Sequence, residues 1–301
     1  MSFVQQLAGP RALVLDGGLA TELAARGHDL DDPLWSARLL LDAPAAIVEV
    51  HRAWLQAGAD VITSASYQAS LPACARAGST TTPRSRCCAR RWRWRGACAL
   101  EHRDAFVAAS AGSYGASLAD GSEYTGAFGP IDDEALVRFH RERLPGFVDA
   151  DVIAFETIPS AREAAAIARA LVDHRGPPAW LSLQLRAPDR TGAGDTLEAC
   201  VDAVAECPAI VALGVNCCDP AHVAAALARL RGRSERPLVA YANAGERYDG
   251  HARCFVGAPL GPAAFAALAA AWIAGGARLV GGCCRTGPAH IAALAAMRDA
   301  G

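Results

Sequence analysis

Eight short apolar or β-branched runs recur at fairly even intervals, and this repetition restricts the architecture more than any other feature of the chain. They are "ALVLDGG" (12–18), "DVITSAS" (60–66), "FVAASAGSYG" (106–115), "DVIAFETIP" (151–159), "AWLSLQL" (179–185), "AIVALGVNCC" (209–218), "PLVAYANAG" (237–245) and "ARLVGGCC" (277–284). Most are nearly unbroken, as expected of parallel strands covered on both faces. Between them lie Ala-, Leu- and Arg-rich stretches with helical spacing, such as "SAREAAAIARALVDH" (160–174) and "PAHVAAALARLRGR" (220–233). Eight strand–helix units in 301 residues predict an α/β fold, a (β/α)8 TIM barrel forming one domain over residues 1–301. An open doubly wound sheet is the alternative, but no run is followed by the G-x-G-x-x-G fingerprint that would recommend it.

In such a barrel the chemistry lies at the C-terminal ends of the strands. Run 1 ends in Asp16-Gly17-Gly18, run 2 in Ser64 to Tyr67 and run 4 in Glu156-Thr157. Run 6 ends in Asn216-Cys217-Cys218, run 7 in Asn243 and run 8 in Gly282-Cys283-Cys284. Thiols from two strands and carboxylates from two others are thus expected at one mouth.

The chain has eleven cysteines, an odd number in a large chain without a secretion signal, so free thiols or metal ligands are expected rather than a disulfide scaffold. Cys200, Cys207 and Cys254 read as small buried hydrophobes. The strand-end pairs differ. Three thiolates at a barrel mouth suit Zn²⁺, which favours tetrahedral sulfur ligation and, in catalytic sites, keeps one position for substrate. Gly281-Gly282 gives the backbone the freedom to bend so that both Cys283 and Cys284 can ligate. The rival is a closed four-thiol structural site that also uses Cys218.

Composition narrows the partners. The chain is 52% hydrophobic and 20% charged with a formal net charge of -2, which gives no electrostatic reason to expect nucleic acid or an anionic membrane. Small-molecule substrates are expected instead. The first residues, "MSFVQQLAGPRALVLDGG", lack a basic segment followed by a long apolar run, which predicts a cytoplasmic protein.

In order along the chain, "VLDGGLATEL", "DPLWSARLLLD", "VITSASYQAS", "ADGSEYTG", "FETIPS", "GVNCC" and "VGGCCRTGP" resemble the zinc-dependent homocysteine S-methyltransferases. The combination of G-V-N-C with G-G-C-C is the most specific element, and the resemblance spans nearly everything except about residues 71–105. It implies zinc held by Cys217, Cys283 and Cys284, which are also the catalytic residues, while Cys218 follows the ligand position without being one. It further implies that Asp16, Glu156 and the backbone around Gly17 and Gly18 hold the amino acid portion of homocysteine.

The implied reaction is methyl transfer from a sulfonium donor, S-methylmethionine or S-adenosylmethionine, to the zinc-bound thiolate of homocysteine, giving methionine. "SASYQAS" and "DPLWSARLLL" look like the S-methylmethionine-type branch. Trp35 and Tyr67 offer aromatic faces to an onium group, unless both rings simply pack the mouth. A betaine-type donor, or a zinc-binding or redox barrel without transferase activity, are the alternatives.

One stretch fits neither family nor fold. "STTTPRSRCCARRWRWRGAC" (79–98) carries six arginines, two tryptophans and three cysteines where the barrel needs an amphipathic helix. Read one nucleotide earlier with GC-rich codons, Pro83 to Arg95 becomes an apolar, helix-like run. Paired frameshifts therefore account for it better than nucleic-acid binding, which would need a wider basic surface.

Overall fold

The computed structural model describes residues 1–32, 34–70, 105–245, 247–249 and 254–300. The atypical stretch 79–98 lies outside them, as do Cys74, Cys87, Cys88 and Cys98. Eight strands form one parallel sheet: β1 (Leu13–Val14), β2 (Val61–Thr63), β3 (Phe106–Gly112), β4 (Val152–Ile158), β5 (Ala179–Leu183), β6 (Ile210–Asn216), β7 (Leu238–Ala242) and β8 (Ala277–Gly282). Each pairs with its neighbour in sequence, and β8 pairs with β1. The remaining seam closes through a parallel bridge between Leu15 and Val61, where the Asp16 N–H donates to the Val61 carbonyl at 3.0 Å. The sheet is thus a (β/α)8 barrel, and each of the eight apolar runs supplies one of its strands.

Burial on two faces explains why those runs show so little alternation. Along β4, Val152 and Ala154 face the barrel interior with Leu13, Leu15, Val61, Trp180 and Leu279. Ile153 and Phe155 face outward into the layer shared with the helices. Every residue of β4 is buried. At about 25 cal/mol per Å² of apolar surface, neither face tolerates a polar residue without a partner.

The helices begin where their capping chemistry dictates. Ser160 Oγ accepts from the Glu163 N–H at 3.1 Å to open Ala161–Ala170, and Asp219 Oδ1 accepts from the Ala221 N–H at 2.9 Å to open Pro220–Arg231. The first of these is shorter than its periodicity predicts. It stops at Ala170 because "VDHRGPP" turns back toward β5, with the His174 N–H bonded to the Leu171 carbonyl.

A feature the runs do not foretell is the helix Phe3–Leu7, which seals the N-terminal end of the barrel. Phe3 packs against Phe106 (ring centroids 5.6 Å apart) and Trp180 (5.9 Å), and Phe3 and Leu7 join the interior cluster. The opposite end is left open for the strand-end residues. Among the described residues no helix is long and apolar enough to cross a membrane.

Candidate metal and substrate site

Cys217 follows β6 with a left-handed backbone (φ +50°), a conformation that costs a non-glycine residue roughly 1–2 kcal/mol. Its neighbour Asn216 helps hold it. Asn216 Oδ1 accepts from the Thr157 N–H at 2.7 Å, while Asn216 Nδ2 donates to Thr157 Oγ1 at 2.9 Å, tying the end of β6 to the end of β4. After β8, the Cys283 N–H bonds the Ala242 carbonyl (2.8 Å). The chain then turns tightly, the Thr286 N–H and hydroxyl both reaching the Cys283 carbonyl at 3.2 and 2.7 Å. On this turn the neighbouring thiols of Cys283 and Cys284 both face the mouth. Cys218 instead continues the chain into the outer core, where it is buried among apolar side chains.

The Sγ atoms of Cys217, Cys283 and Cys284 lie within 4.8 Å of one another, and among the described residues they are the group that could hold a metal ion. Cys217 and Cys284 are 3.7 Å apart. Two sulfurs each about 2.3 Å from a tetrahedral zinc would be separated by about 3.8 Å, so the donor set fits that ion in type and spacing. Hydrogen bonds from the Cys283 and Cys284 thiols, aided by Tyr124 and Asn243, push the Cys217 thiol well below its usual range. The same bonds push the Cys283 and Cys284 thiols up. The Tyr124 hydroxyl lies 3.4 Å from the Cys217 Sγ.

Two carboxylates share this mouth. Asp16 is buried, and accepts from the Thr63 N–H (2.6 Å) and hydroxyl (3.0 and 3.1 Å). Glu156, also buried, accepts from Ser110 Oγ and from Tyr241 Oη at 3.0 Å, and Trp180 Nε1 in turn donates to that hydroxyl at 3.1 Å. Burial pushes both carboxyls up to about 7, against the pull of these hydrogen bonds. A buried cation would restore their charge, and each carboxylate has lone pairs to spare.

One cavity of about 500 Å³ is lined by all the nominated residues: Asp16, Gly17, Gly18, Trp35, Tyr67, Glu156, Cys217, Cys283 and Cys284. Trp35 and Tyr67 meet edge to face, centroids 6.2 Å apart. All five non-glycine residues with left-handed backbone among the described residues, Trp35, Ala119, Thr157, Cys217 and Arg285, also line this cavity. Such strain gathers where side chains must be aimed rather than merely packed.

The two glycines are required by closeness. A Cβ on Gly17 would lie 2.7 Å from the Trp54 ring, and one on Gly18 would lie 2.6 Å from the Cys283 carbonyl oxygen. The Gly18 N–H is committed to Thr286, its carbonyl at 3.3 Å and hydroxyl at 3.2 Å, which leaves that donor engaged within the protein. Gly18→Ala is accordingly expected to displace the turn that carries Cys283. Metal affinity should drop about 10- to 100-fold, the usual effect of disturbing a ligand's support, in a competitive chelator titration.

Residues absent from the expected set are Thr63, Ser110 and Tyr241, which hold the carboxylates in place, and Glu123 and Tyr124 from the loop after β3, whereas Asn216, which helps hold Cys217, was named as a strand end. The first three lie on or beside strand ends and were accessible to that rule. The last two come from "ADGSEYTG", whose placement depends on how a loop folds back over the mouth.

Comparison with known proteins adds a family. Residues 13–298 match the family model described as homocysteine S-methyltransferase. The chain is 38% identical to the selenocysteine Se-methyltransferase of Brassica oleracea var. italica, covering 93% of this chain and 87% of that protein. It is 39% identical to homocysteine S-methyltransferase 3 of Zea mays, covering 95% and 90%. Among solved structures, the metallated form of the homocysteine methyltransferase MmuM from Escherichia coli superposes with a TM-score of 0.83 at 38% identity, over 97% of this chain and 98% of that one.

Proposed function

This chain belongs to the homocysteine S-methyltransferase family, whose reaction moves a methyl group to homocysteine and gives methionine, and we propose that it does so with zinc held by Cys217, Cys283 and Cys284 and with a sulfonium donor. The observation that carries this reading is the convergence of three thiols and two buried carboxylates on one cavity. Zinc, when bound, supplies a substrate sulfur that is already deprotonated, where a free thiol with a pKa of about 8.5 would be mostly neutral.

The chain's own residues do the rest. Asp16 and Glu156 receive the homocysteine ammonium and take on full charge as it arrives. Their partners Thr63, Ser110 and Tyr241 keep the oxygens fixed, so the amino acid end is oriented before the sulfur reacts. Three cysteine thiolates leave the centre net negative, which draws in a cationic donor. The segments "SASYQAS" and "DPLWSARLLL", which put Tyr67 and Trp35 on the cavity, favour S-methylmethionine as the donor.

The test is an assay of purified, zinc-loaded protein with homocysteine and, separately, S-methylmethionine, S-adenosylmethionine and betaine. Methionine should form fastest from S-methylmethionine. Faster turnover of betaine would overturn the sulfonium assignment, and no turnover of any donor would favour a metal-binding barrel without transferase activity.

A further inference from the structure

Glu123 is a carboxylate that the proposed homocysteine site does not use. It lies on a short helical turn, Ser122–Tyr124, in the loop after β3, and lines the same cavity as the three cysteines. Its Oε2 is buried and has no hydrogen-bond partner. The groups whose charge it feels are negative, Cys217 and Asp120, and it in turn acts on Tyr67 and Cys284. It is not among the atoms clustered tightly enough to share a metal ion with the cysteines. A carboxylate oxygen shielded from water and facing negative groups carries its charge at a cost unless a cation joins it.

The kind of cation follows from what surrounds the oxygen. An ammonium brings three N–H donors and needs a set of directed acceptors. A sulfonium carries the same charge without any N–H, and is satisfied by a bare carboxylate oxygen and aromatic faces. Tyr67 and Trp35 provide such faces on the same cavity. We propose that Glu123, together with Tyr67 and Trp35 on the same cavity, is the anionic wall that recognises the sulfonium charge of the methyl donor and sets the preference for charged over neutral molecules of the same shape. This inference rests on the sulfonium reading given above and assigns the charge-selecting residue within it.

The chemistry predicts how Glu123 acts on the kinetics. In the transfer the acceptor thiolate sulfur forms the new S–CH₃ bond while the donor's S–CH₃ bond breaks, its electron pair returning to the donor sulfur. The positive charge therefore fades toward the transition state. An anion fixed against the sulfonium stabilises the bound donor at least as much as the transition state, so its removal shows in KM rather than as a fall in kcat.

The experiment uses the zinc-loaded full chain, S-methylmethionine, and its neutral carbon isostere 2-amino-5-methylhexanoic acid, which keeps the α-ammonium and shape but lacks the charge. Glu123→Gln should raise the KM for S-methylmethionine at least about tenfold, with the homocysteine KM and zinc content unchanged and kcat not reduced. The inhibition constant of the isostere should stay the same. An equal loss for both molecules would place Glu123 at the ammonium or in a structural role and overturn the proposal, as would no change in either. Should the variant lose zinc or fold, the wild type alone decides, because an isostere that binds as tightly as the sulfonium overturns charge recognition. A wild type that does not turn over S-methylmethionine would overturn the sulfonium reading itself, whereas turnover without preference for the charge overturns only the role of Glu123.

Discussion

Replacing Cys284 with alanine should abolish binding of the zinc proposed for this site and, with it, lower turnover at least about a thousandfold. The magnitude has two parts. A free thiol near pH 7 is only a few per cent thiolate, which forfeits about 30-fold, and a substrate sulfur no longer held in position forfeits about another 100-fold. Cys283→Ala and Cys217→Ala should behave alike, because the three sulfurs form one cluster with edges no longer than 4.8 Å. Cys218→Ala is the control. Its side chain lies in the outer core, so it should retain about one zinc per chain and near-normal turnover while losing some stability through the small void. Zinc content by elemental analysis and turnover on the same samples decide the matter. Loss of metal from the Cys218 variant would mean a closed four-sulfur site and would contradict the catalytic assignment.

The contrast between Cys217–Cys218 and Cys283–Cys284 also shows what a sequence can and cannot convey. Both pairs end strand runs, and the rule that barrel chemistry lies at strand ends nominated both. Which thiols face the cavity depends on the backbone. Beyond β6 neighbouring side chains still part company, one to the mouth and one to the outer core, while the turn closed by Thr286 presents both thiols of the second pair to one side. The eight strands were legible for a related reason, since burial on two faces forces long apolar runs that few other folds require. Glu123 and Tyr124 were not. Their motif was visible, but the fold of the loop that carries them leaves no period in the residues. Nor did anything periodic mark Phe3–Leu7 as the plug of the barrel.

Glu156→Gln and Asp16→Asn should each weaken homocysteine binding by about 100-fold or more without removing zinc, since truncating a buried charge partner typically costs about 3–5 kcal/mol. Isothermal titration with homocysteine reads this directly. The same carboxylates dictate a pH dependence. Both sit near 7 in the folded protein, chiefly because burial disfavours their charge, against about 4 when unfolded. Between pH 4 and 7 the folded chain therefore holds protons that the unfolded chain has released. Their contribution to stability accordingly falls as pH rises through that window and levels off above it. Bound there as proposed, the homocysteine ammonium would reverse this preference by favouring the charged forms. Its affinity should strengthen as pH rises from 6 toward 7.5, with proton release on binding at the lower end. That slope should shrink in each single variant and fall, in the double variant, to the part set by the proton that homocysteine's own thiol loses on binding zinc, with metal content checked at every pH. A wild-type slope no steeper than that of the double variant would show that the two carboxyls are already ionised and that the ammonium binds elsewhere.

The five left-handed residues around the cavity have a bearing on descent. At about 1–2 kcal/mol each, their backbones together withhold roughly 5–10 kcal/mol, as much as the entire net stability of many domains. Glycine at any of the five would relieve its share, and random mutation offers that exchange continually. A lineage in which the barrel persisted but its reaction no longer mattered would therefore be free to drift toward glycine at positions such as 119 and 217, where no strand tie or ring contact is lost, becoming sturdier as it fell silent. Side chains retained at those positions mark a lineage in which the mouth is still in use, and they do so in the backbone, independently of the cysteines.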